Sequence, residues 1–205
     1  MMTQTKRVYQ VLDLFGASKQ ISKAWEAEGF NAASYDIKSN KKHDICSQTG
    51  FMELIKLGLS LTDSALICAA PPCSMYGPAC ASVHRRSNDN VLGDLSNFKV
   101  RLARRIWVNF ASFLHVMGKV HRSFHTLIEQ PSGSWAYKQP EMVSVIAQMG
   151  LLLTVTWMAF FQHDMLKCTH LRSDMASVTQ MYDHFEVRCF RRTFTKCLKQ
   201  TVDMA

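Results

Sequence analysis

The chain has 205 residues, of which 47% are hydrophobic and 20% charged. This length suits one domain with a single core, and the apolar content excludes disorder throughout the chain. The formal net charge of +8 is compatible with an anionic partner such as nucleic acid. A solvated basic surface explains the charge equally well.

The cysteines indicate a reducing environment and no metal site. The chain has seven, namely Cys46, Cys68, Cys73, Cys80, Cys168, Cys189 and Cys197, without a CxxC pair or a Cys/His cluster spaced like zinc ligands. Their odd number, and the lack of an apolar run before Val8, predict an intracellular protein of the nucleus or cytoplasm. No run reaches the roughly 20 apolar residues of a membrane-spanning helix, so we expect a soluble protein.

The N-terminal part has the pattern of a strand, a turn and a helix. Residues 8–12 are rich in β-forming side chains and end at Asp13, and a turn of small residues follows at 16–18. Ser18 is the predicted N-cap of the helix, and Gly29 is the predicted left-handed residue after its last turn.

The same alternation continues along the chain. A second strand, 31–35, ends at Asp36, at about the 20-residue distance from the first turn that is typical of a ribose-binding acid. The further predicted elements are a helix over 51–61, a strand over 64–70, a loop over 74–97, a helix from Ser96 to Gly118, a strand over 124–128, a helix ending at Gly150 and a last strand over 151–160.

This order predicts a single α/β domain with a mainly parallel sheet, right-handed crossovers and helices on both faces. Ligands of such sheets bind at the carboxyl ends of the strands. Asp13, Asp36, Cys73 and Glu129 all lie at predicted strand ends. We therefore expect these four side chains at one edge of the sheet.

An ordered series of short motifs resembles the cytosine-5 DNA methyltransferase family. The motifs are Asp13-Leu14-Phe15-Gly16, the acid Asp36, Asp44-Ile45, Pro72-Cys73, and Glu129 of Glu129-Gln130-Pro131, where only the glutamate matches the family's Glu-Asn-Val. The resemblance covers residues 8–172. It implies a Rossmann-like fold and S-adenosylmethionine as the cofactor.

The resemblance also assigns roles to residues. It implies that Cys73 is the nucleophile that adds to the cytosine ring and that Glu129 is the acid partner at the ring nitrogen. The cofactor-binding residues would be Asp13, Phe15, Gly16, Asp36, Ile37, Asp44 and Pro71. Ser74, Arg85 and Arg86 are candidates for contact with the substrate.

The division of the chain follows from where the resemblance ends. Residues 1–172 form the expected catalytic domain, and residues 173–205 form a short tail whose part 188–205 carries Arg188, Arg191, Arg192, Lys196 and Lys199 against Asp203. This tail is predicted to add phosphate contacts. Since the family's large target-recognition region has no counterpart, a partner protein could supply recognition of the nucleic acid, DNA more than RNA.

Other interpretations of the same residues remain open. The chain could be a non-catalytic, partner-dependent relative that binds nucleic acid without turnover. Cys73 would then be buried for packing, and Glu129 would pair with a basic residue of the helix at 99–105. A Cys/His hydrolase would use Cys73 with His84 or His115. A nicotinamide-dependent oxidoreductase is disfavoured because the first turn lacks GxGxxG.

Overall fold

A computed structural model describes residues 6–120, 123–158 and 167–179. Its strands are β1 Tyr9–Leu14, β2 Ala32–Tyr35, β3 Leu61–Ala69, β4 Phe124–Pro131, β5 Leu152–Trp157 and β6 Cys168–Ser173. Its helices are α1 Gln20–Ala27, α2 Gln48–Leu59, α3 Ala81–His84, α4 Phe98–Val120, α5 Pro140–Met149 and α6 Ala176–Thr179. Two short 3-10 helices, Pro78–Cys80 and Trp135–Lys138, lie in the loops after β3 and β4.

The strands form one six-stranded sheet in the order β2-β1-β3-β4-β6-β5. The first four pair in parallel, whereas β6 is antiparallel to both of its neighbours, β4 and β5. The prediction of an α/β protein with a mainly parallel sheet is thus confirmed. The expectation that 151–160 is the last strand is wrong, because β6 follows it and inserts between β4 and β5. Residues 159 and 160 of that prediction lie outside the described residues.

The main core lies between one face of the sheet and the helices α2, α4 and α5. Leu12 and Leu14 of β1 are fully buried in it, together with Trp107 and Phe110 of α4. Each such side chain contributes about 1.5–3 kcal/mol by leaving water. Asp13, between the two leucines, points to the opposite face, where its carboxylate contacts α1 through Ser22.

The helix boundaries predicted at Gly29 and Gly150 are confirmed, whereas others are wrong, among them those of the helix predicted over 51–61, which runs Gln48–Leu59. Gly29 and Gly150 follow α1 and α5 with φ of 86° and 64°, as predicted for residues that end a helix. Helix α4 continues past Gly118 to Val120. Ser18 is not the N-cap of α1, which begins after Lys19 without a side-chain cap from that residue.

Candidate active site at the carboxyl edge of the sheet

Backbone hydrogen bonds hold the ends of the first three strands side by side. The Phe15 amide donates to the Tyr35 carbonyl (2.9 Å), which joins the end of β1 to the end of β2. The Ala70 amide donates to the Leu14 carbonyl (3.2 Å), which joins the end of β3 to β1. The loops that follow these strands therefore emerge at one edge of the sheet, as the sequence predicts.

The turn after β1 is built around the buried carboxylate of Asp13. This side chain is 1% exposed, and its Oδ2 accepts hydrogen bonds from the amide and hydroxyl of Ser22, each at 3.3 Å. Ser22 is the third residue of α1, so Asp13 supplies from the strand the cap that Ser18 was predicted to supply. A Cβ at Gly16 would lie 2.1 Å from Asp13 Oδ1, and this position therefore excludes every other residue type.

The backbone of this turn is held in an unusual conformation. Phe15 and Lys19 have φ of 62° and 56°, in the left-handed region that disfavours residues other than glycine. The ring of Phe15 packs edge-on against Phe110 of α4, with centroids 5.7 Å apart. Packing against α4 and the Tyr35 hydrogen bond fix Phe15 in place, so the turn is rigid.

We expect Asp13 to make folding dependent on pH. Burial raises the pKa of this carboxyl above its usual 3.8, against the hydrogen bonds from Ser22 that lower it. The folded state thus binds the proton more tightly, and stability is lost as pH rises from 3.8 through the raised pKa. Urea unfolding over this range should show wild type losing stability relative to Asp13→Asn, which cannot ionise. A constant difference between the two proteins would contradict the raised pKa.

The acid after β2 lies where the sequence predicts it. Asp36 is 7% exposed, and its Oδ1 accepts a hydrogen bond of 2.6 Å from the Lys38 amide, which closes a turn. The next residue, Ile37, leaves half of its surface in solvent, at 50% exposed. A carboxylate and an exposed apolar side chain therefore stand together beside the Phe15 turn.

Asp44 serves its own loop. Its Oδ1 accepts from the Cys46 amide at 2.9 Å, and a Cβ at Gly50 would lie 2.1 Å from its carbonyl oxygen. The next residue, Ile45, accepts a hydrogen bond of 2.8 Å at its carbonyl from Asn109 of α4. The loop is thereby tied to both α2 and α4.

The Pro71–Cys73 loop is anchored at successive carbonyls. The Pro71 carbonyl accepts from Gln130 Nε2 of β4 (2.7 Å), and the Pro72 carbonyl accepts from Trp107 Nε1 of α4 (3.2 Å). The Cys73 carbonyl accepts from the Tyr76 amide at 2.8 Å, and its side chain is partly exposed. This anchoring fixes the backbone that carries the thiol and leaves the thiol accessible.

Gln130 and Trp107 were missed as site residues by the sequence analysis. Gln130 is fully buried and bridges two loops, because its Oε1 also accepts from the Ser134 hydroxyl at 3.0 Å. Its only signal in the sequence was its departure from the family's asparagine. Trp107 stands in an apolar helical stripe, which predicts the core and conceals the hydrogen bond of its indole.

Arg86 holds the following loop together. It is 3% exposed, and it donates to the carbonyls of Met75 (2.9 Å) and Val91 (2.6 Å). Its guanidinium also lies over the buried Tyr76 ring, 4.1 Å from the centroid. These interactions occupy the side chain inside the loop, and the substrate contact of Arg86 stays a prediction. Arg85 and Ser74 are exposed, and Arg85 lies 3.7 Å from Asp94.

Neither histidine proposed for a hydrolase is placed to activate Cys73. His84 is fully buried, and its Nε2 donates to the Gly77 carbonyl (2.8 Å) while its Nδ1 accepts from the Arg86 amide (3.0 Å). His115 lies eight residues beyond Trp107 on α4, about 12 Å further along the helix. Both ring nitrogens of His84 are used for loop structure, and the hydrolase interpretation loses its base.

Glu129 lies within β4, opposite Leu171 of β6. Its Oε1 accepts a hydrogen bond of 3.0 Å from Lys167 Nζ, and both side chains are about one-third exposed. The expected pairing of Glu129 with a base at 99–105 is therefore wrong, because the partner comes from the segment just before β6. This long-range contact has no local signal in the sequence.

A cavity beside α2 is separate from the predicted chemistry. It has a volume of about 800 Å³ beside α2, and its lining includes His43, Met52 and Lys56. The His43 ring stacks on Tyr35 with centroids 4.6 Å apart. None of the predicted cofactor-binding or catalytic residues lines this cavity.

The chain matches no protein-family model, and no curated protein resembles it closely enough to be matched. No helix within the described residues is long and apolar enough to cross a membrane.

Proposed function

We propose that the chain is an S-adenosylmethionine-dependent methyltransferase with a Rossmann-like fold. It would act on nucleic acid by cytosine-5 chemistry, with Cys73 as the nucleophile. The observation that carries this proposal is that the Phe15 turn and the Cys73 loop follow the carboxyl ends of the adjacent strands β1 and β3, where a ligand crevice is expected.

That crevice is the topological switch point of the sheet. From β1 the chain passes to β2 on one side and then returns to β3 on the other side of β1. In open α/β sheets, the gap between the carboxyl ends of two such strands is the usual ligand site. Here the Asp13–Gly16 turn follows one strand and the Pro71–Cys73 loop follows the other. The hydrogen bond from Ala70 to Leu14 joins the ends of the two strands.

The residues around the crevice fit the proposed cofactor. Asp36 would accept hydrogen bonds from the ribose hydroxyls, and the exposed Ile37 would pack on the adenine. Asp44 would accept from the adenine amino group. Asp13 would act through the turn that it supports, since its carboxylate is buried beneath Gly16.

The reaction requires a nucleophile because carbon 5 of cytosine is unreactive by itself. The Cys73 thiolate would add to carbon 6, and Glu129 would protonate or hydrogen-bond the ring nitrogen, which makes carbon 5 an enamine carbon. When bound, the cofactor supplies a methyl group on a sulfonium, which carbon 5 attacks. S-adenosylhomocysteine would leave, water would accept the proton from carbon 5, and the Cys73 thiolate would be expelled as the ring nitrogen returns its proton to Glu129, which restores the ring.

We expect S-adenosylhomocysteine to stabilise the protein through Asp36. At about 100 times the dissociation constant the gain in unfolding free energy is roughly 2.7 kcal/mol. Asp36→Asn keeps an oxygen for the Lys38 amide and loses the charged acceptor, which should weaken binding about tenfold or more. At the same ligand concentration its gain should then be about 1.4 kcal/mol or less.

Thermal unfolding with and without ligand measures both gains. The matched control is Asp63→Asn, which changes an exposed acid paired with Arg7 near the other end of β3. It should retain the full gain. Equal gains in wild type and Asp36→Asn would show that Asp36 does not contact the cofactor.

We expect Glu129→Gln to separate chemistry from structure. The amide oxygen can still accept from Lys167 Nζ, so the fold should be preserved, whereas an amide cannot deliver a proton to the ring. The rate at which Cys73 forms a covalent complex with an oligonucleotide carrying 5-fluorocytosine should fall by about 10²–10⁴-fold. Stabilisation by S-adenosylhomocysteine should not change. Glu141→Gln, which alters the pair with Arg104, is the control. An unchanged rate of complex formation would show that Glu129 has only a structural role, through its ion pair with Lys167.

That ion pair also favours a second candidate, a non-catalytic relative of the same fold that binds nucleic acid with a partner. Lys167 occupies a carboxylate oxygen of Glu129 that the ring nitrogen would need. A protein that has lost catalysis could keep this pair purely to stabilise the sheet. Cofactor binding without any covalent trapping would select this alternative.

A further inference from the structure

The outer surface of α4 near its start combines exposed aromatic, aliphatic and basic side chains. Phe98, Arg101, Leu102 and Arg105 recur at the three- and four-residue spacing that places side chains on one face of a helix. Phe98 is 66% exposed and Leu102 is 40% exposed, and both arginines are exposed. We call these four residues, with the neighbouring Lys99, the α4 basic face.

The cations of this face lack acidic partners. Among the described residues, the only carboxylate that pairs with this part of α4 is Glu141, which binds Arg104 at 2.7 Å. Arg101 donates to the Leu95 and Ser96 carbonyls at 2.9 and 2.7 Å, which leaves its charge unneutralised. The first turn of α4 contains no acid. Since the helix dipole is also positive at this end, the arrangement costs stability, and an anionic ligand would offset that cost.

The surface is concave as well as basic. A cavity of about 330 Å³ is lined by Leu95, Val108 and three arginines, Arg101, Arg104 and Arg105. This volume is within the range of sites that hold small ligands. Arg101 and Arg105 have no acidic partner among the described residues, and guanidinium groups suit the oxygens of a phosphate group.

The α4 basic face adjoins the candidate active site. Trp107 and Asn109 belong to the same part of α4, and they donate to the carbonyls of Pro72 and Ile45 in the two loops of the site. Asn109 lies one helical turn beyond Arg105. A strand bound along this face would therefore lie beside the Asp44–Ile45 loop of the candidate site.

We propose that the α4 basic face binds single-stranded nucleic acid without regard to its sequence. Arg101, Arg105 and Lys99 would bind phosphates, and the Phe98 ring would stack on an unpaired base. This inference rests on the proposed function, for which it names the substrate as a single strand. The bases of a duplex are stacked on one another and do not offer their faces to Phe98.

Binding of a labelled single-stranded oligonucleotide, DNA and RNA in separate arms, tests the phosphate contacts by fluorescence anisotropy over a salt series. Arg101→Ala/Arg105→Ala removes two phosphate contacts. The slope of the logarithm of the binding constant against the logarithm of the salt concentration should then become shallower by about 1.4. The affinity of the double variant at about 0.1 M salt should be about 25-fold below that of wild type, and the two affinities should become equal near 1 M salt. The control Lys56→Ala/Lys119→Ala removes two exposed cations elsewhere and should retain the wild-type slope. Equal losses in both double variants would overturn the proposal, since only net charge would then matter.

Phe98 supplies the second, independent test. Phe98→Ala should weaken binding of the single strand by about tenfold, because a stacking contact is lost, with no change in the salt slope. Phe98→Trp should restore it. Wild-type protein that prefers the matching duplex, or binds no oligonucleotide, would also overturn the proposal. Calorimetry with S-adenosylhomocysteine distinguishes these failures from failure of the proposed function, because cofactor binding needs none of these side chains.

Discussion

An oligonucleotide carrying 5-fluorocytosine should form a covalent complex with the protein through Cys73 when S-adenosylmethionine is present. Fluorine at carbon 5 blocks the elimination that normally frees the enzyme, so the carbon–sulfur bond persists and the complex survives denaturing electrophoresis. Cys73→Ser should abolish it, because a serine hydroxyl is far less acidic and less nucleophilic than a thiol. We expect a loss of about 10⁴-fold or more, the scale seen when a covalent nucleophile is removed.

Other cysteines provide the controls for this experiment. Cys80 lies in the short 3-10 helix after the Cys73 loop and is also partly buried, so Cys80→Ser removes a nearby thiol of similar exposure. It should trap at the wild-type rate. Cys68 is a poorer nucleophile because burial raises its pKa to about 12. Trapping that persists in Cys73→Ser would place the nucleophile elsewhere, and trapping by neither protein despite cofactor binding would favour the non-catalytic alternative.

The order of the early elements could be predicted because each strand there has a local signal. Apolar runs with clear ends mark β1, β2 and β3, and the Asp13 turn and the Pro71–Pro72 pair mark where two of them stop. Parallel strands with helical crossovers must then bring their carboxyl ends to one edge. The position of the candidate site followed from this rule alone.

Strand β6 could not be predicted in the same way. Its sequence, CTHLRS, is mixed in polarity, and it becomes a strand because β4 and β5 supply hydrogen bonds on both sides. The neighbouring β5 reverses the usual pattern, since Thr154 and Thr156 are buried while Val155 and Trp157 are 37% and 39% exposed. Pairing between distant segments, which local hydropathy does not record, decides both features.

The roles of individual site residues were the hardest part to predict. Asp13 was expected to face the ligand, and it is instead buried against α1, because the start of that helix lacks its own cap. Glu129 was predicted to be the catalytic acid, with a pair to a basic residue of α4 as the alternative, and it pairs with Lys167, which is distant in sequence. A motif places a residue at the correct edge of the sheet, whereas the direction of its side chain depends on partners from other segments.

The second large effect is expected at Gly16. In Gly16→Ala the new Cβ would lie 2.1 Å from Asp13 Oδ1 and 2.5 Å from its Cγ. The carboxylate is buried and accepts two hydrogen bonds from Ser22, so moving it away from the new Cβ would break these bonds. We expect a loss of about 3 kcal/mol or more in unfolding free energy, which lowers the melting temperature by roughly 6–12 °C. Stabilisation by S-adenosylhomocysteine should be lost as well.

Gly118→Ala is the matched glycine control, because the nearest atom to its new Cβ is Gln148 Nε2 at 3.6 Å. Gly118 lies inside α4, so alanine should stabilise the protein by up to about 1 kcal/mol.

The decisive comparison adds Asp13→Ala, which alone should cost about 1–2 kcal/mol through loss of the cap. In the Gly16→Ala background the same change removes the clash, and the double variant should be more stable than the sum of the single losses by about 1–3 kcal/mol. Strictly additive losses would show that Asp13 does not lie beneath the turn.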